Sequence, residues 1–304
     1  MDFYKGKKVL VTGAYGFVGT HLCRALKNSG ALIFRFGRQH DVKDADCVQH
    51  MVKEFNPAVV FHLAAQTEVG ASFNDPMEVL FTNIGGTASV LDAVRQSQEL
   101  HKGLSSLPHL VIASTDKVYG SQKGICTETS PLLKNADVYS ASKASADELA
   151  QLYQRIYNLS STIIRPCNIY GPGQYNQTTL ITGAVCNILN GNPVVVHKSS
   201  HDITREWLYI HDAVRAYMLA GTQTGTAIYN VGTASRWSVR FVADMIVKLI
   251  GKGSVEVKAD GTPPYQIGDQ GIDSTKFCKA FPEWEARDLS RGLSATIEWY
   301  TENL

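Results

Sequence analysis

The sequence predicts an α/β protein with a doubly wound parallel sheet and a smaller C-terminal lobe. Short apolar runs typical of buried parallel strands alternate with segments of helical periodicity up to about residue 172. A glycine-rich turn joins the first run to the first helix, and after Gly173 the elements become shorter. We therefore predict a larger domain over residues 1–172 and a lobe that mainly binds substrate over residues 173–304, with some later segments returning to the sheet.

Composition narrows the class of protein. The 304 residues carry a net charge of +1 and no basic tract, which argues against a nucleic-acid partner or an anionic membrane. No apolar run approaches the ~20 residues of a membrane span, and the first residues lack a signal-peptide core. The six cysteines show no Cys-x-x-Cys or zinc spacing. We expect a cytoplasmic protein with reduced cysteines and no metal site.

The first strand and the turn after it predict a dinucleotide site. The buried-strand pattern Lys8-Val-Leu-Val-Thr12 leads into three glycines spaced three apart and then a helix. Gly13 allows a tight turn, Gly16 lets the backbone approach a pyrophosphate, and Gly19 permits close packing of helix on strand. The helix N-terminus adds amides and a favourable dipole for phosphates. The predicted cofactor contacts in this turn are Gly13, Tyr15, Gly16, Phe17, Val18 and Gly19.

The end of the second strand bears on which cofactor binds. This strand, 31–36, is followed by Gly37 and Arg38, where an NAD site would favour an acidic residue for the ribose 2′-hydroxyl. Arg35 or Arg38 could instead pair with a 2′-phosphate. The pattern favours NADP over NAD, although one or both arginines could also be surface charges.

Further cofactor and substrate contacts are expected at the ends of later elements. Asp41, with Val42 beside it, is placed to contact the adenine amino group. The strand 58–65 ends in small residues that let a cofactor lie close, and Asn83 is a polar residue in the apolar face of the next long helix. A buried amide needs partners, so Asn83 could equally bridge helix and sheet. These expected contacts are Leu63, Ala64, Ala65 and Asn83 for the cofactor, and Gln66 and Ser72 for the substrate.

Five polar residues form the predicted reaction centre. The strand 109–113 ends in Ser114 and then Thr115, Asp116 and Lys117, at the edge where parallel sheets place their ligands. Tyr139 and Lys143 are four residues apart in the helix predicted over 136–158, so they share one face. An ammonium beside a phenol lowers its pKa, as a tyrosine base requires. Packing and solvation alone could also explain these residues.

With the segment Arg165-Pro-Cys-Asn168-Ile-Tyr-Gly-Pro172, the chain resembles the extended short-chain dehydrogenase/reductase family of nucleotide-sugar enzymes over nearly its whole length. The resemblance implies a Rossmann fold and a catalytic set of Thr115, Tyr139 and Lys143. Tyr139 would act as the base at the sugar 4-hydroxyl, Thr115 would bind the same oxygen, and Lys143 would bind the nicotinamide ribose. It also implies a nucleotide-diphosphate sugar as substrate, contacts from Asn168 and Arg205, and a homodimer through a four-helix bundle.

Asp116 and Lys117 suggest the subclass. An Asp-Lys pair after the catalytic hydroxyl resembles the CDP-glucose 4,6-dehydratases and the inverting UDP-N-acetylglucosamine 4,6-dehydratases. That resemblance implies Lys117 as the neutral base at C5 and Asp116 as the acid at the C6 hydroxyl, each with a shifted pKa. An ordinary ion pair is the alternative. The short chain and the Gly37 end also resemble the NADPH-dependent 4-keto-6-deoxyhexose reductases, so a reductase, a 4-epimerase and a non-catalytic NADP-binding protein remain open.

Overall fold

The computed structural model describes residues 2–37, 39–101, 107–122, 124–132, 137–259 and 267–304. In chain order its strands are β1 (Lys8–Thr12), β2 (Leu32–Phe36), β3 (Val59–His62), β4 (His109–Ala113), β5 (Ser161–Pro166), β6 (Asn168–Tyr170), β7 (Val194–His197), β8 (Thr204–Arg205), β9 (Trp207–Tyr209), β10 (Thr226–Val231), β11 (Trp237–Ser238) and β12 (Val255–Lys258). Its helices are α1 (Phe17–Asn28), α2 (Ala45–Phe55), α3 (Val69–Asn74), α4 (Pro76–Leu80), α5 (Gly86–Leu100), α6 (Val138–Tyr157), α7 (Leu180–Leu189), α8 (Ile210–Ala220), α9 (Val239–Ile250), α10 (Thr275–Ala280) and α11 (Leu289–Asn303).

The six-stranded sheet has the order β10-β5-β4-β3-β1-β2, and all its strands run parallel. Its strands are nearly continuous apolar runs because both faces are covered, as in β1, where the four residues after Lys8 are buried. The parallel direction brings the carboxyl ends of β1, β3, β4 and β5 to one edge. The predicted doubly wound α/β fold is confirmed.

Two apolar cores pack on the opposite faces of this sheet. Side chains alternate along a strand, so Val9 and Val11 of β1 join the core that contains α1 and α8, whereas Leu10 joins the core with α2, α5 and α6. The face with α1 and α8 continues into the apolar side chains of α7 and α9. The sheet therefore anchors both the helices of the larger domain and part of the C-terminal segments.

The segments after residue 173 form short paired strands and helices. β7 pairs with β12, β8 with β11, and β6 with β9. β10 lies in the central sheet next to β5, so the chain re-enters that sheet after leaving it. The division of the chain at residue 172 stays a prediction.

Two predicted elements differ in detail from the structure. The strand predicted over 58–65 ends at His62, although the Leu63 amide still donates to the Thr12 carbonyl. The long helix predicted from Pro76 consists of α4, a π-helical turn at Phe81–Gly85, and α5. Such turns are wider than an α-helical turn and are frequent at functional sites. This one carries Asn83.

Among the described residues, no helix has the length and apolarity needed to cross a bilayer. The same residues contain no group of three or more histidine, cysteine or acidic side chains placed to hold a metal ion.

Candidate active site

The turn after β4 brings three predicted catalytic residues together. A short 3₁₀ turn, Asp116–Tyr119, follows directly on Thr115. The Thr115 hydroxyl accepts a hydrogen bond from the Lys117 amide at 3.3 Å and donates one to Asp116 Oδ1 at 3.1 Å. Thr115 and Asp116 are both buried. The turn therefore holds a hydroxyl and a carboxylate side by side at the sheet edge.

The Lys117 amine is surrounded by oxygen acceptors. Its Nζ lies 3.2 and 3.3 Å from the two carboxylate oxygens of Asp116, 3.2 Å from Asn168 Oδ1 and 2.6 Å from Gln270 Oε1. Burial lowers the pKa of Lys117, and the positive charge of Arg205 lowers it further, while Asp116 opposes both effects. The site thus favours loss of a proton from this amine more than water does.

Helix α6 places the predicted tyrosine and lysine beside this turn. It begins after Asp137, whose carboxylate caps the helix by accepting from the Ser140 amide at 2.7 Å. The buried Lys143 amine donates to the Ala113 carbonyl at 2.6 Å, which ties α6 to the end of β4. Tyr139, one turn earlier, is half-buried and shares a hydrogen bond with the Thr115 hydroxyl.

The pKa values of this pair differ from the simple expectation. Burial and the negative charge of Asp116 raise the pKa of Tyr139, and the hydrogen bond with Thr115 only partly offsets them. Burial lowers the pKa of Lys143 to about 8, against the opposing effect of Asp147. In this structure the lysine amine is directed to a carbonyl of β4. Activation of Tyr139 by Lys143 therefore stays a prediction for the enzyme with its cofactor bound.

The glycine turn has the geometry that a diphosphate requires. Gly13 has φ +66°, and a Cβ there would lie 2.7 Å from the Ala64 amide nitrogen. A Cβ on Gly19 would lie 2.1 Å from the Gly13 carbonyl oxygen. Gly16 caps α1 without a side-chain hydrogen bond, so no capping side chain covers the first amides of the helix. The turn fits a dinucleotide cofactor, with Tyr15, Phe17 and Val18 in the same segment.

At the end of β2, where an NAD site would favour an acidic side chain, the ring of Tyr15 lies against Gly37. A Cβ on Gly37 would lie 2.1 Å from Cε2 of Tyr15, so the ring lies directly against this glycine. Arg38 lies outside the described residues. The exposed Arg35 lies next to Cys23 of α1. The Nδ1 atom of His40 is buried without a hydrogen-bond partner within the described chain, at the same end of β2.

Asp41 and Val42 occupy different surroundings. The Asp41 carboxylate is exposed, accepts from the Lys43 amide at 2.9 Å and lies 3.5 Å from the Lys43 amine. Val42 is buried against Gly86, where a Cβ would lie 2.6 Å from Val42 Cγ2. Asp41 is therefore already paired, and Val42 packs against the start of α5. Their contacts with adenine stay predictions.

Asn83 bridges three elements. Its Oδ1 accepts from the Gln66 amide at 2.8 Å, and its Nδ2 donates to the Gln66 carbonyl at 3.0 Å and to Ser142 Oγ at 2.8 Å. These bonds tie the loop after β3 to the π-helical turn and to α6. The bridging role considered from the sequence is thus what the geometry shows. Asn83 thereby fixes the loop that follows Ala64 and Ala65, and its contact with the cofactor stays a prediction.

The predicted substrate residues lie in two groups. Asn168 joins the Lys117 cluster and donates to the Glu206 carbonyl at 2.9 Å. The Arg205 guanidinium donates to the carbonyls of Thr204, Ile267 and Gly268, so it braces the 267–268 segment. In the loop after β3, the Gln66 side chain is exposed, Ser72 is fully buried, and Leu63 is half-buried. Contact of any of these with a sugar nucleotide stays a prediction.

Two groups of residues were missed by reasoning from the sequence. Gln270 is buried, accepts from Lys117 and donates to the Asp116 carbonyl at 3.4 Å. Asp147 and Arg165 form a buried ion pair below the reaction centre. A charged arginine within the apolar strand β5 signals a buried partner, and Asp147 lies one turn after Lys143. No signal in the sequence relates Gln270 to Lys117, which is 153 residues earlier.

Comparisons with known proteins agree with the Rossmann-like sheet and its glycine turn. The model of the NAD dependent epimerase/dehydratase family matches residues 9–232. The dTDP-glucose 4,6-dehydratase of Streptomyces griseus is 32% identical over 323 residues, covering 96% of this chain and 93% of the relative. The structure of Thermus thermophilus UDP-glucose 4-epimerase in complex with NAD superposes with a TM-score of 0.86 at 26% identity, covering 98% of this chain and 100% of the other.

A trifunctional UDP-glucose 4,6-dehydratase/UDP-4-keto-6-deoxy-D-glucose 3,5-epimerase/UDP-4-keto-L-rhamnose-reductase of Arabidopsis thaliana, RHM3, is 30% identical over 339 residues. The match covers 100% of this chain and 48% of that relative, so the chain spans about half the length of this plant protein. The family match, the Rossmann-like sheet and the glycine turn agree with one another, and the chain belongs to the NAD-dependent epimerase/dehydratase family of enzymes.

Proposed function

We propose that this chain is a nucleotide-sugar 4,6-dehydratase, which converts an NDP-hexose to an NDP-4-keto-6-deoxyhexose. The observation that carries the proposal is the Asp116–Lys117 pair beside the hydroxyls of Thr115 and Tyr139. Oxidation and reduction at C4 need only the two hydroxyls and Lys143. Removing water across C5 and C6 needs an additional base and an additional acid, and the turn after β4 supplies both types of group.

Each residue has a distinct role in this reaction. Tyr139 takes the proton of the 4-hydroxyl, with Thr115 positioning the same oxygen. The glycine turn after β1, together with Lys143, would hold the nicotinamide cofactor, which would supply the hydride acceptor for C4 and the hydride donor for C6. The C4 ketone acidifies the C5 proton, which Lys117 removes, and Asp116 protonates the departing C6 hydroxyl. Hydride return at C6 leaves an enolate, which takes the proton back from Lys117 at C5. The proton that Tyr139 took replaces the one that Asp116 gave to the departing hydroxyl, so water is lost and the reaction has no net redox change.

The surroundings of Lys117 support its role as a neutral base. A neutral amine keeps two N–H donors, and the amide oxygens of Asn168 and Gln270 are placed to accept both, at 3.2 and 2.6 Å. The lone pair then faces Asp116, whose carboxyl oxygens lie 3.2 and 3.3 Å from the amine. Burial and Arg205 lower the pKa of the amine in the same direction. Such a site makes the neutral form accessible closer to neutral pH.

Incubation with a panel of CDP-, GDP-, UDP- and dTDP-hexoses tests the proposal. We expect a 4-keto-6-deoxy sugar nucleotide to form without net consumption of cofactor. In Lys117→Met and Asp116→Asn, turnover should fall about 10²–10⁴-fold because a general base or acid is removed. Reduced cofactor should then accumulate after substrate is added, because C4 oxidation continues. Lys248→Met, an exposed lysine of α9, is the matched control. Full turnover in both active-site variants would exclude the dehydratase.

A reductase of 4-keto-6-deoxyhexoses is the second candidate. Asp116 and Lys117 already pair with each other at 3.2 Å, as an ion pair without a catalytic role would. Tyr139, Thr115 and Lys143 suffice for hydride transfer. Stoichiometric oxidation of NADPH with a 4-keto substrate, and no reaction with hexoses, would establish this activity. Interconversion of two hexoses without loss of water would establish a 4-epimerase instead.

We further propose that NADP binds more tightly than NAD. The carboxylate that would hold a ribose 2′-hydroxyl is absent at Gly37, and the Tyr15 ring leaves no room for a side chain there. Fluorescence titration of the wild type should give a lower Kd for NADP. Gly37→Asp combined with Tyr15→Ala should shift preference toward NAD, whereas Tyr15→Ala alone should not. Tighter binding of NAD by the wild type would contradict this.

We also propose a homodimer through α5 and α6. Leu100 on α5, and Leu152, Ile156 and Tyr157 on α6, are exposed apolar side chains on the two helices of the expected four-helix bundle. Sedimentation velocity should give a dimer for the wild type and a monomer for Ile156→Glu. Leu304→Glu, which changes an exposed leucine at the end of α11, is the control and should stay dimeric. A monomeric wild type would contradict the proposal.

A further inference from the structure

A second cavity lies between α1 and α8, away from the residues of the proposed reaction. It has a volume of about 360 Å³, within the roughly 300–1,000 Å³ typical of small-molecule sites. Four residues from each helix line it, spaced three and four apart, so each helix presents one continuous face. The cavity lies on the face of the sheet opposite α5 and α6.

The lining of this cavity is positively charged. Arg24 and His21 come from α1, and Arg215 and His211 come from α8. The two imidazole centroids are 5.6 Å apart. Of the described residues that line the cavity, none is acidic, and Arg24 has no ion-pair partner in the described part of the chain. Two guanidinium groups and two imidazoles thus converge, and Asp212, which acts on His211 and Arg215, is not among the lining residues.

Asp212 offsets part of this charge, but it is shared with Arg287. Asp212, next to His211, accepts from the Arg287 amide at 2.8 Å and lies 3.9 Å from the Arg287 guanidinium. Arg215 donates to the Glu283 carbonyl, which orients it. Burial lowers the pKa of both histidines. His211 and Arg24 lower the pKa of His21 further, against the hydrogen bond with the Pro172 carbonyl. Arg287 and Arg24 lower the pKa of His211 further, against the negative charge of Asp212.

We propose that this cavity binds a phosphate-bearing small molecule, at a site separate from those of cofactor and substrate. Arginine presents a planar donor fork that matches phosphate oxygens, and two such side chains from facing helices suit a phosphate group between them. Val214 and Met218 line the same cavity and give an apolar surface for a base or a sugar. Nucleotides and sugar phosphates share this combination of an anionic end and a less polar body.

One hydrogen bond connects the site to the segment that carries Asn168. The Nε2 atom of His21 lies 2.9 Å from the Pro172 carbonyl, and since that carbonyl can only accept, the imidazole donates. Pro172 ends the segment that begins with β6 and carries Asn168, a partner of Lys117. A ligand that changes the charge of His21 therefore acts on a residue in contact with that segment.

Calorimetric titration of the cofactor-saturated enzyme tests the proposal. Inorganic pyrophosphate, UMP and glucose 1-phosphate are titrated separately at constant ionic strength. We expect saturable binding that weakens at least about tenfold in Arg24→Gln/Arg215→Gln, because two charge-assisted hydrogen-bonding groups are lost. Arg240→Gln, an exposed arginine paired with Asp244 on α9, should bind as the wild type does. Tighter binding of UMP than of pyrophosphate would identify a nucleotide, and equal binding would identify the phosphate group alone.

Proton uptake provides a second measurement. A bound anion favours charged imidazoles, so it raises the pKa of His21 and His211, and affinity should increase from about pH 8 to about pH 6. Histidine C2 proton shifts measured by NMR should follow the same titration.

Unchanged binding in the double variant Arg24→Gln/Arg215→Gln, with its unfolding curve unaltered, would place the anion elsewhere and overturn the proposal. If none of the three probes bound, or if an acidic peptide bound in their place, the proposal would be overturned as well.

Discussion

Two pairs of opposite charge lie near the carboxyl ends of β4 and β5, and their surroundings differ. The Asp147 and Arg165 side chains are 0% and 1% exposed, and two guanidinium nitrogens of Arg165 bind the two carboxylate oxygens at 2.9 and 2.7 Å. Asp116 and Lys117 are 3% and 19% exposed, and a single amine lies 3.2 and 3.3 Å from the carboxylate. The first pair is closed from solvent and joined by two hydrogen bonds, whereas the second is partly open to solvent.

The remaining partners strengthen this difference. Arg165 also donates to the Tyr119 hydroxyl at 2.8 Å, and Asp147 also accepts from Ser114 and Gln151. A guanidinium does not lose its proton in a protein, so this pair is permanently charged and can only position other groups. Lys117 can change its protonation state. The comparison shows a fully buried pair that holds the scaffold beside a partly open pair whose lysine can change its protonation state, as the proposed proton transfer requires.

The largest expected effect concerns stability. Asp147→Asn should lower the free energy of unfolding by about 3–5 kcal/mol, because Arg165 remains buried and charged without a carboxylate. Asp116→Asn should cost no more than about 1.5 kcal/mol, since Lys117 keeps the acceptors Asn168 and Gln270 and can lose its proton. Urea unfolding followed by circular dichroism measures both.

Asp244→Asn provides the reference for that measurement. Asp244 pairs with Arg240 on the surface of α9, and an exposed pair of this kind contributes at most about 1 kcal/mol. If Asp147→Asn and Asp116→Asn lowered the free energy of unfolding equally, both pairs would be structural, and the two pairs would not differ in role.

Local patterns in the sequence predicted most of the fold. The glycine turn, the alternation of apolar strands with helices, and the four-residue spacing of Tyr139 and Lys143 each depend on residues close together in the chain. Spacing did not predict the direction of the Lys143 amine, which binds the Ala113 carbonyl. Nor did it predict that burial and Asp116 raise the pKa of Tyr139 in this structure.

Contacts between distant segments account for the rest. Gln270 meets Lys117 because the segment that follows residue 267 lies against the turn after β4, and neither segment contains a pattern that indicates the other. Arg165 in an apolar strand required a buried partner, but several acidic residues could have served. The sequence thus predicts a cluster around Lys117 that includes Asp116, Asn168 and Arg205, whereas Gln270, which also contacts the amine, could not be predicted.

The second prediction uses the pH dependence of turnover. Neutral Lys117 is the proposed base, so kcat should increase with pH through the pKa of this amine. Arg205 lowers that pKa, and Arg205→Gln should therefore move the rising limb of the kcat profile to higher pH. Saturating substrate separates this shift from weaker binding. Arg236→Gln is the control, since Arg236 acts on Asp269 and not on Lys117. If the rising limb of the kcat profile did not move in Arg205→Gln, Lys117 would not be the titrating base.

The smallest expected effect concerns the acceptor Gln270. Gln270→Leu removes the 2.6 Å acceptor of Lys117, and we expect kcat to fall about 2–10-fold with little change in KM, the effect of one hydrogen bond that orients a reacting group. Gln270→Glu should instead move the rising limb to higher pH, because a carboxylate beside the amine stabilises its charged form. Gln223→Leu, in the loop before β10, is the matched control.

If Gln270→Glu left the rising limb of the kcat profile unchanged while kcat fell, Gln270 would act only on the shape of the turn after β4. A shift in the limb would place it among the groups that set the protonation of Lys117, and would complete the contrast with the permanently charged Asp147–Arg165 pair.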